Sequence, residues 1–539
     1  MIVLSAITED PVRQAGIRHF FTTAGIAVRP FDADPGAVTI GYGTPPADAP
    51  VRIRIAHAPA SDVVQGELYG ESWRLPFSAA LDPVSEGGEV LAWVSVNDER
   101  HPCIVQDGAT ITVAFDLFAE TGEWLCGGRD RPRAGPAGDP AVLVVDGYEA
   151  LLVSCIRRAC HLQGIPFVAT AHWPQNHTSA VCLTHDVDEL VKTYQWITRP
   201  LRYCRQGDGA GLLRQFRSLL AKIGGKEPYW MFDAIRRMDD ELQIRSTFYF
   251  LEESMAPRLL DPSTWNVLGR CHSLNTPAAQ ALIRDLAHDG HEIGVHGSYR
   301  SFADYDLLAR EKGHIDTIIG RSVTGIRQHH LNLDVPRTWE MQAKAGFIYD
   351  TSLGYKDRPG FRGGTCFPFH PETASGPLPL LELPLAVMDI TVPPRSAGWE
   401  ICRTIADRVA ATGGLLMLLW HPAVFNPIEF PGAGDLCARL IRHAQAKGAW
   451  AATAGEIAAW WRRRSSALIT WTARDGALHI TFPPDADDLA VDIWLPEGST
   501  AAIPKSIQVF VREEQHFRIA LGPLSMALPT TLEIEYICG

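Results

Sequence analysis

Ala180-Val181-Cys182-Leu183-Thr184-His185-Asp186-Val187-Asp188 is the stretch on which the reading of this chain turns. An apolar run leads into two carboxylates spaced two apart. Alternate side chains of a strand share a face, so Asp186 and Asp188 point the same way. Downstream, apolar runs recur at 246–251, 292–296, 324–329, 347–352, 381–388, 415–421 and 449–453. Helical segments separate them. Thr276-Pro277 opens one helix with a capping hydroxyl and a proline preset for the first turn, and Gly290 closes it. Gly346, Gly413 and Gly448 each stand between a helix and the next run, and Thr453-Ala454-Gly455-Glu456 has capping-box spacing. Eight apolar strands alternating with helices predict an α/β fold with parallel connections, a barrel or an open doubly wound sheet. The segment 190–226 is long for a connection and partly helical, an insertion that covers one rim.

The flanks have a different texture. Residues 1–175 mix short strands such as Val51-Arg52-Ile53-Arg54-Ile55 with few helices, among them 148–162, which Gly164 stops. This predicts an N-terminal mixed α/β domain of unknown role, ahead of a barrel over 176–464. Residues 465–539 read as all-β. Asp475-Gly476 favours a two-residue hairpin turn, and alternating runs follow at 490–495, 507–511, 517–521 and 531–537, as in a small β-sandwich.

A chain of 539 residues exceeds one core and implies two or three domains. Its formal net charge of −13 opposes phosphate binding, so no nucleic-acid partner is expected despite Arg462-Arg463-Arg464. The N-terminus lacks the basic start and apolar core of a signal peptide. The most apolar run, 415–420, is far too short to span a bilayer. Eleven cysteines, odd in number and without CxxC spacing, read as reduced thiols of a cytoplasmic protein.

Chemistry collects at the C-terminal ends of barrel strands. Here those ends carry Asp186 and Asp188, then His296 after Gly290-His291-Glu292-Ile293-Gly294-Val295, then Arg327-Gln328-His329-His330, Asp350-Thr351-Ser352, and Trp420-His421. A carboxylate with imidazoles is a zinc-type environment, with nickel or cobalt as alternatives. A neighbouring carboxylate is suited to act as a base, and a lone histidine such as His421 to protonate a leaving amine.

Taken in order, Thr184-His185-Asp186-Val187-Asp188, Gly290-His291-Glu292-Ile293-Gly294-Val295-His296, the Arg327 strand end and Leu419-Trp420-His421 resemble the NodB-type polysaccharide deacetylases, carbohydrate esterase family 4, over 178–464. The resemblance implies a distorted, often incomplete barrel. It makes Asp186 the general base, Asp188 and His296 ligands of a divalent metal, Arg327 the partner of the base, and His421 the general acid. Leu419 or Trp420 would line the acetyl pocket. Family members usually carry a second ligand histidine four residues after the first, where this chain has Arg300. Guanidinium cannot ligate a metal, so either another group completes the site, with His329 and His330 the best candidates, or metal affinity is low, or this copy has lost activity. His329 is preferred because it ends an adjacent strand, and Arg300 is a solvated loop residue, a substrate contact or a replacement charge. Gly360-Phe361-Arg362-Gly363-Gly364-Thr365-Cys366 and Met388-Asp389 resemble a subgroup associated with polysaccharide biosynthesis; Arg362 would bind substrate and Asp389 orient His421.

Structural readings compete at several positions. His291 is expected to make a backbone hydrogen bond. Trp73, Trp93 and Trp124, like Trp471 and Trp494, are expected in cores rather than on a sugar platform. The expected activity is removal of an N-acetyl group from an amino-sugar glycan or glycan precursor. The alternatives are a deformylase-like C–N hydrolase and a catalytically silent glycan-binding protein. The partner is a carbohydrate, and the oligomeric state is not legible.

Overall fold

The computed structural model describes all residues except 1, 6–7, 31–37, 43–48, 57–62, 70–73, 85–86, 127–140, 254–273, 374, 394–395, 468, 485, 487, 504–506, 513–514, 522–529 and 538–539. Trp73 lies outside the described residues.

The strand Ser179–Val187 is buried along its whole length and lies within the central sheet. It pairs in parallel with Thr247–Leu251 on one side and Leu415–Leu419 on the other, with Ala449–Ala451 beside its first residues. Outward from Thr247–Leu251 come Glu292–Gly297, Gly325–Gln328, Tyr349–Asp350 and Leu381–Glu382, all parallel. Val387–Met388 lies on the far side of Leu415–Leu419. A parallel sheet buried on both faces selects continuous Val/Ile/Leu/Phe runs, which is why these strands show no alternation. All the parallel strand ends therefore share one rim.

The run 381–388 is not one strand. Pro384 has no N–H to give a ladder, and the run splits into two-residue pieces on opposite edges of the sheet. This one stretch bridges both edges, and among the described residues no ladder closes the barrel.

The insertion forms two helices, Gln195–Gln206 and Gly209–Ile223, joined by Gly207 in the left-handed region and capped at Asp208. The N-terminal residues build a nine-stranded sheet, parallel over five strands and antiparallel over four. The helices Pro11–Ala24, Leu117–Leu125 and Val144–Leu162 belong to the same region. Val145 N–H donates to Gly364 O (2.9 Å), and Arg18 pairs with Glu372 (2.7 Å), tying this sheet and its helices to the barrel.

Among the described residues the C-terminal region contributes seven strands to two four-stranded antiparallel sheets. Asp475 and Gly476 take φ of 52° and 77° in the turn between Thr470–Arg474 and Ala477–Phe482, as a primed turn requires. One of the two sheets takes its fourth strand from Phe167–Thr170, inside the stretch read as N-terminal, which pairs with Ala490–Trp494. Trp471 is buried. Trp494 stacks on His516 at 4.5 Å, Trp93 is 37% exposed, and Trp124 packs beside Gly364.

Candidate active site

The rim gathers residues from five strand ends. Asp186 is the last-but-one residue of its strand and Asp188 follows it. Arg327, fully buried on the fourth strand of the series, reaches across the sheet to Asp186. Its Nη1 donates to Asp186 Oδ1 (2.8 Å) and Thr184 Oγ1 (2.7 Å), while its Nε donates to Thr351 O (3.2 Å). Its guanidinium also lies over the Tyr249 ring at 4.8 Å. Burial works against the charge, but Asp186 holds the guanidinium protonated. Asp186 is thereby fixed through one oxygen, and the other faces His296 Nε2 at 3.6 Å.

Asp188, His296 and His329 each place one ligand-type atom within 4.8 Å of the others. His296 Nδ1 lies 2.9 Å from Arg327 O. A carbonyl only accepts, so Nδ1 carries the hydrogen and Nε2 is the inner nitrogen. Nε2 stands 3.2 Å from Asp188 Oδ1, which is buried without a well-formed hydrogen bond among the described residues. In a neutral ring, lone pairs face lone pairs, and only a positive centre makes that favourable. Either a proton on the ring or a cation between the groups satisfies it. Burial disfavours the Asp188 carboxylate, yet His329, His296 and His421 together hold it well below the ordinary range. Burial likewise opposes a charged His296, which Asp186 and Asp188 outweigh. One carboxylate and two imidazoles, with a fixed outer nitrogen, fit a zinc-type ion.

The choice between His329 and His330 is made by the backbone. His330 adopts φ 58° and Leu331 φ 51°, uncommon for residues with a side chain. The chain turns sharply there, leaving His329 buried beside His296 with ring centroids 5.2 Å apart, and His330 exposed.

His421 follows the strand Leu415–Leu419. Its backbone N–H donates to Asp389 Oδ2 (2.8 Å), and its Nδ1 lies 2.9 Å from Asp389 Oδ1. Nε2 is turned toward Asp188 Oδ2 at 3.9 Å. Burial lowers the imidazole pKa, but Asp389, Asp188 and Asp186 raise it to about 10. Two further histidines are structural. His185, neutral with its pKa lowered to about 3 by burial, donates from Nδ1 to Trp420 O (2.7 Å). His291 Nδ1 accepts from Ser246 N–H at 3.3 Å. Asp350 turns away into a buried network with Ser352, Gln342 and Trp339.

Asp186, Asp188, His296, His329 and His421 form the floor of a cleft of about 420 Å³, whose lining includes Leu419, His330 and Lys356. One wall comes from the insertion, through Tyr194, Thr198, Arg199 and Arg202, which sequence reasoning did not assign beyond covering a rim. Three expected contacts lie elsewhere. Trp420 is buried, its indole N–H donating to Ala433 O (3.1 Å), so Leu419 and not Trp420 lines the cleft. Arg300 is exposed at the start of the short turn Ser301–Ala303 and is not among the lining residues, because the chain leaves the rim at Ser298. Arg362 is half-buried and also off the lining, although its charge reaches Lys356, which is on it.

A second trio escaped the sequence reading. His19, Asp146 and Glu149 also bring ligand-type atoms within 4.8 Å of one another. They lie against the start of Leu415–Leu419, opposite the rim. Asp146 Oδ2 accepts from Cys366 N–H (2.8 Å), and Cys366 O accepts from Leu415 N–H (2.9 Å). Burial pushes Asp146 up to about 6, Glu149 well above its ordinary range, and His19 down to about 3. The i,i+3 spacing of Asp146 and Glu149 on one helix was the only available signal, and it is common on helices.

No family model matches the chain, and no curated protein matches it. Among solved structures it is similar to a Mycobacterium smegmatis protein assigned as a polysaccharide deacetylase, at 20% identity and TM-score 0.37, over 57% of this chain and 98% of that one. It is also similar to peptidoglycan deacetylase PdaC from Bacillus subtilis, at 12% identity and TM-score 0.26, over 54% of this chain and 95% of that one. A third is a CE4 family pseudoenzyme from Bacillus anthracis, at 11% identity and TM-score 0.25, over 53% of this chain and 66% of that one.

Proposed function

We propose that this chain is a metal-dependent hydrolase that removes N-acetyl groups from an amino-sugar glycan or glycan precursor. One observation carries the reading. Asp188, His296 and His329 converge on one point, while Asp186, clamped by Arg327, and His421, backed by Asp389, flank it. The ordered motifs that resemble the NodB-type deacetylases support the same assignment of roles.

Asp188, His296 and His329 would hold the cation, with zinc favoured and nickel or cobalt as substitutes. Such an ion, when bound, polarises an amide carbonyl and makes water more acidic. Asp186 accepts the proton of the attacking water at the oxygen Arg327 leaves open, and that clamp keeps the carboxylate aimed. The water oxygen bonds to the acyl carbon, and the C–N bond breaks. His421 Nε2 delivers a proton to the departing nitrogen, and Asp389 fixes the ring so that this nitrogen faces the cleft. Acetate and a free amine result. Leu419 offers the acetyl methyl group an apolar wall.

The test is acetate release from N-acetylglucosamine oligosaccharides by protein of measured metal content. Metal-loaded protein that releases acetate, and an Asp186→Asn variant that does not, are expected. Protein that binds metal and releases formate from an N-formyl amine instead would favour the deformylase-like alternative. Protein that binds the oligosaccharide and neither metal nor acetyl chemistry would favour the silent binder.

A further inference from the structure

The insertion is built inside out. Its inner face is polar: Gln215 and Ser218, both buried, join Lys192 and Arg199 around the carboxylate of Glu429, with Lys192 Nζ to Glu429 Oε1 at 2.6 Å. Its outer face is apolar. Ile197, Leu201 and Cys204 recur at i, i+4 and i+7 on the first helix, and Leu213, Phe216, Leu220 and Ile223 recur at similar spacing on the second. Ile197 is 73% exposed, Phe216 57%, Leu220 51% and Ile223 75%. Ordinary surface helices present the opposite arrangement, and large contiguous apolar patches mark a docking surface.

The charge identifies what docks. Residues 195–226 hold seven basic side chains and one acidic, a net of +6, in a chain of net −13. Arg202, Arg205, Arg217 and Lys226 are exposed and make no ion pair among the described residues. Apolar side chains ringed by guanidinium and ammonium groups match an anionic phospholipid surface, where apolar groups enter the acyl boundary and cations meet phosphates. A second copy seated face to face on this surface would set one basic ring against another, whereas an anionic headgroup layer neutralises the ring.

We propose that the helical pair Gln195–Gln206 and Gly209–Ile223 seats this protein on an anionic membrane surface, and that the substrate is an amino-sugar glycan carried on a lipid. The second half rests on the deacetylase reading. The first does not. The same insertion supplies a wall of the catalytic cleft through Thr198, Arg199 and Arg202, and Ile390 on the cleft is itself 68% exposed. A protein lying on this face would hold its cleft at the headgroup level, where a lipid-linked sugar stands.

The experiment is co-sedimentation of the full chain with phosphatidylcholine vesicles, with and without phosphatidylglycerol, at low and high salt. The expected result is binding that needs phosphatidylglycerol, weakens with salt, and falls about tenfold or more in an Ile197→Ser/Leu220→Ser/Ile223→Ser variant of unchanged circular dichroism. Acetate release from a soluble N-acetylated oligosaccharide should be unchanged in that variant, while release from a lipid-linked one should fall. Absence of vesicle binding by the unaltered chain overturns the proposal. So does a concentration-dependent dimer that the triple substitution converts to monomer, because the face would then be covered by a second copy. Vesicle binding without acetate release from either substrate leaves the membrane surface standing and refutes the deacetylase reading.

Discussion

The barrel has a histidine–carboxylate trio at each end, with its carboxylate partly exposed at the rim and all three members buried at the foot, and the two behave oppositely. At the rim, Asp188, His296 and His329 lie among charges: Arg327 pairs with Asp186, Asp389 backs His421, and the carboxylate of Asp188 stays ionised well below its usual range. At the foot, among the described residues, the one positive group that acts on the trio is Arg464, beside Glu149, and its guanidinium donates to the carbonyls of Ala171, Thr22, Thr23 and Thr170 instead. Burial therefore wins at the foot, raising both acids and keeping the imidazole neutral. The rim sets two imidazoles against one carboxylate and the foot one imidazole against two carboxylates. That balance, together with the opposite charge that neighbouring elements deliver at the rim, separates a charged cluster from a largely neutral one.

Five substitutions would sharpen or break that contrast. Asp188→Ala should reduce bound metal to background after dialysis and acetate release with it, read by elemental analysis and acetate assay; a fully loaded, active variant would remove the rim trio from the mechanism. Asp186→Asn should keep its metal and lose about 10²–10⁴-fold in kcat, the usual span for a general base. Asp389→Asn should lose about 10–100-fold in kcat with metal content intact, since it orients a group and does not react.

The mildest effect belongs to the foot. Asp146 and Glu149 have folded pKa values raised above their unfolded ones. At these two acids the folded state binds more protons than the unfolded state above about pH 4, so their contribution to stability falls as pH rises from there toward neutrality, while His19, held low by burial, contributes with the opposite sign. Glu149→Gln should flatten that slope in thermal melts between pH 5 and pH 8 (roughly the window of the raised groups), leaving kcat unchanged. A rise in melting temperature on adding zinc to a His296→Ala variant would break the contrast, because the foot would then hold a cation too.

Much of the rim was legible because each of its residues ends an apolar run, and run ends in a parallel sheet share an edge. Asp186, Asp188, His296, Arg327 and His421 all obey that rule. His329 and His330 did not separate in the sequence, since the left-handed backbone at His330 is carried by no glycine. The misplacement of Trp420 has a similar root: strand alternation says which residues face which side, but the strand ends at Leu419 and the indole turns toward Ala433. The break at Pro384 was readable and outweighed by the apolar residues around it. The foot trio depends on contacts between His19 and residues more than a hundred positions away, which no local period encodes.

The strand Phe167–Thr170 bears on how the protein is made. Its ladder partner, Ala490–Trp494, is synthesised roughly 300 residues later. During translation this segment leaves the ribosome without its ladder partner and stays so until residues 490–494 have emerged. The N-terminal part therefore cannot reach its final state as an independent unit, and any pause late in synthesis exposes a β edge open to mispairing.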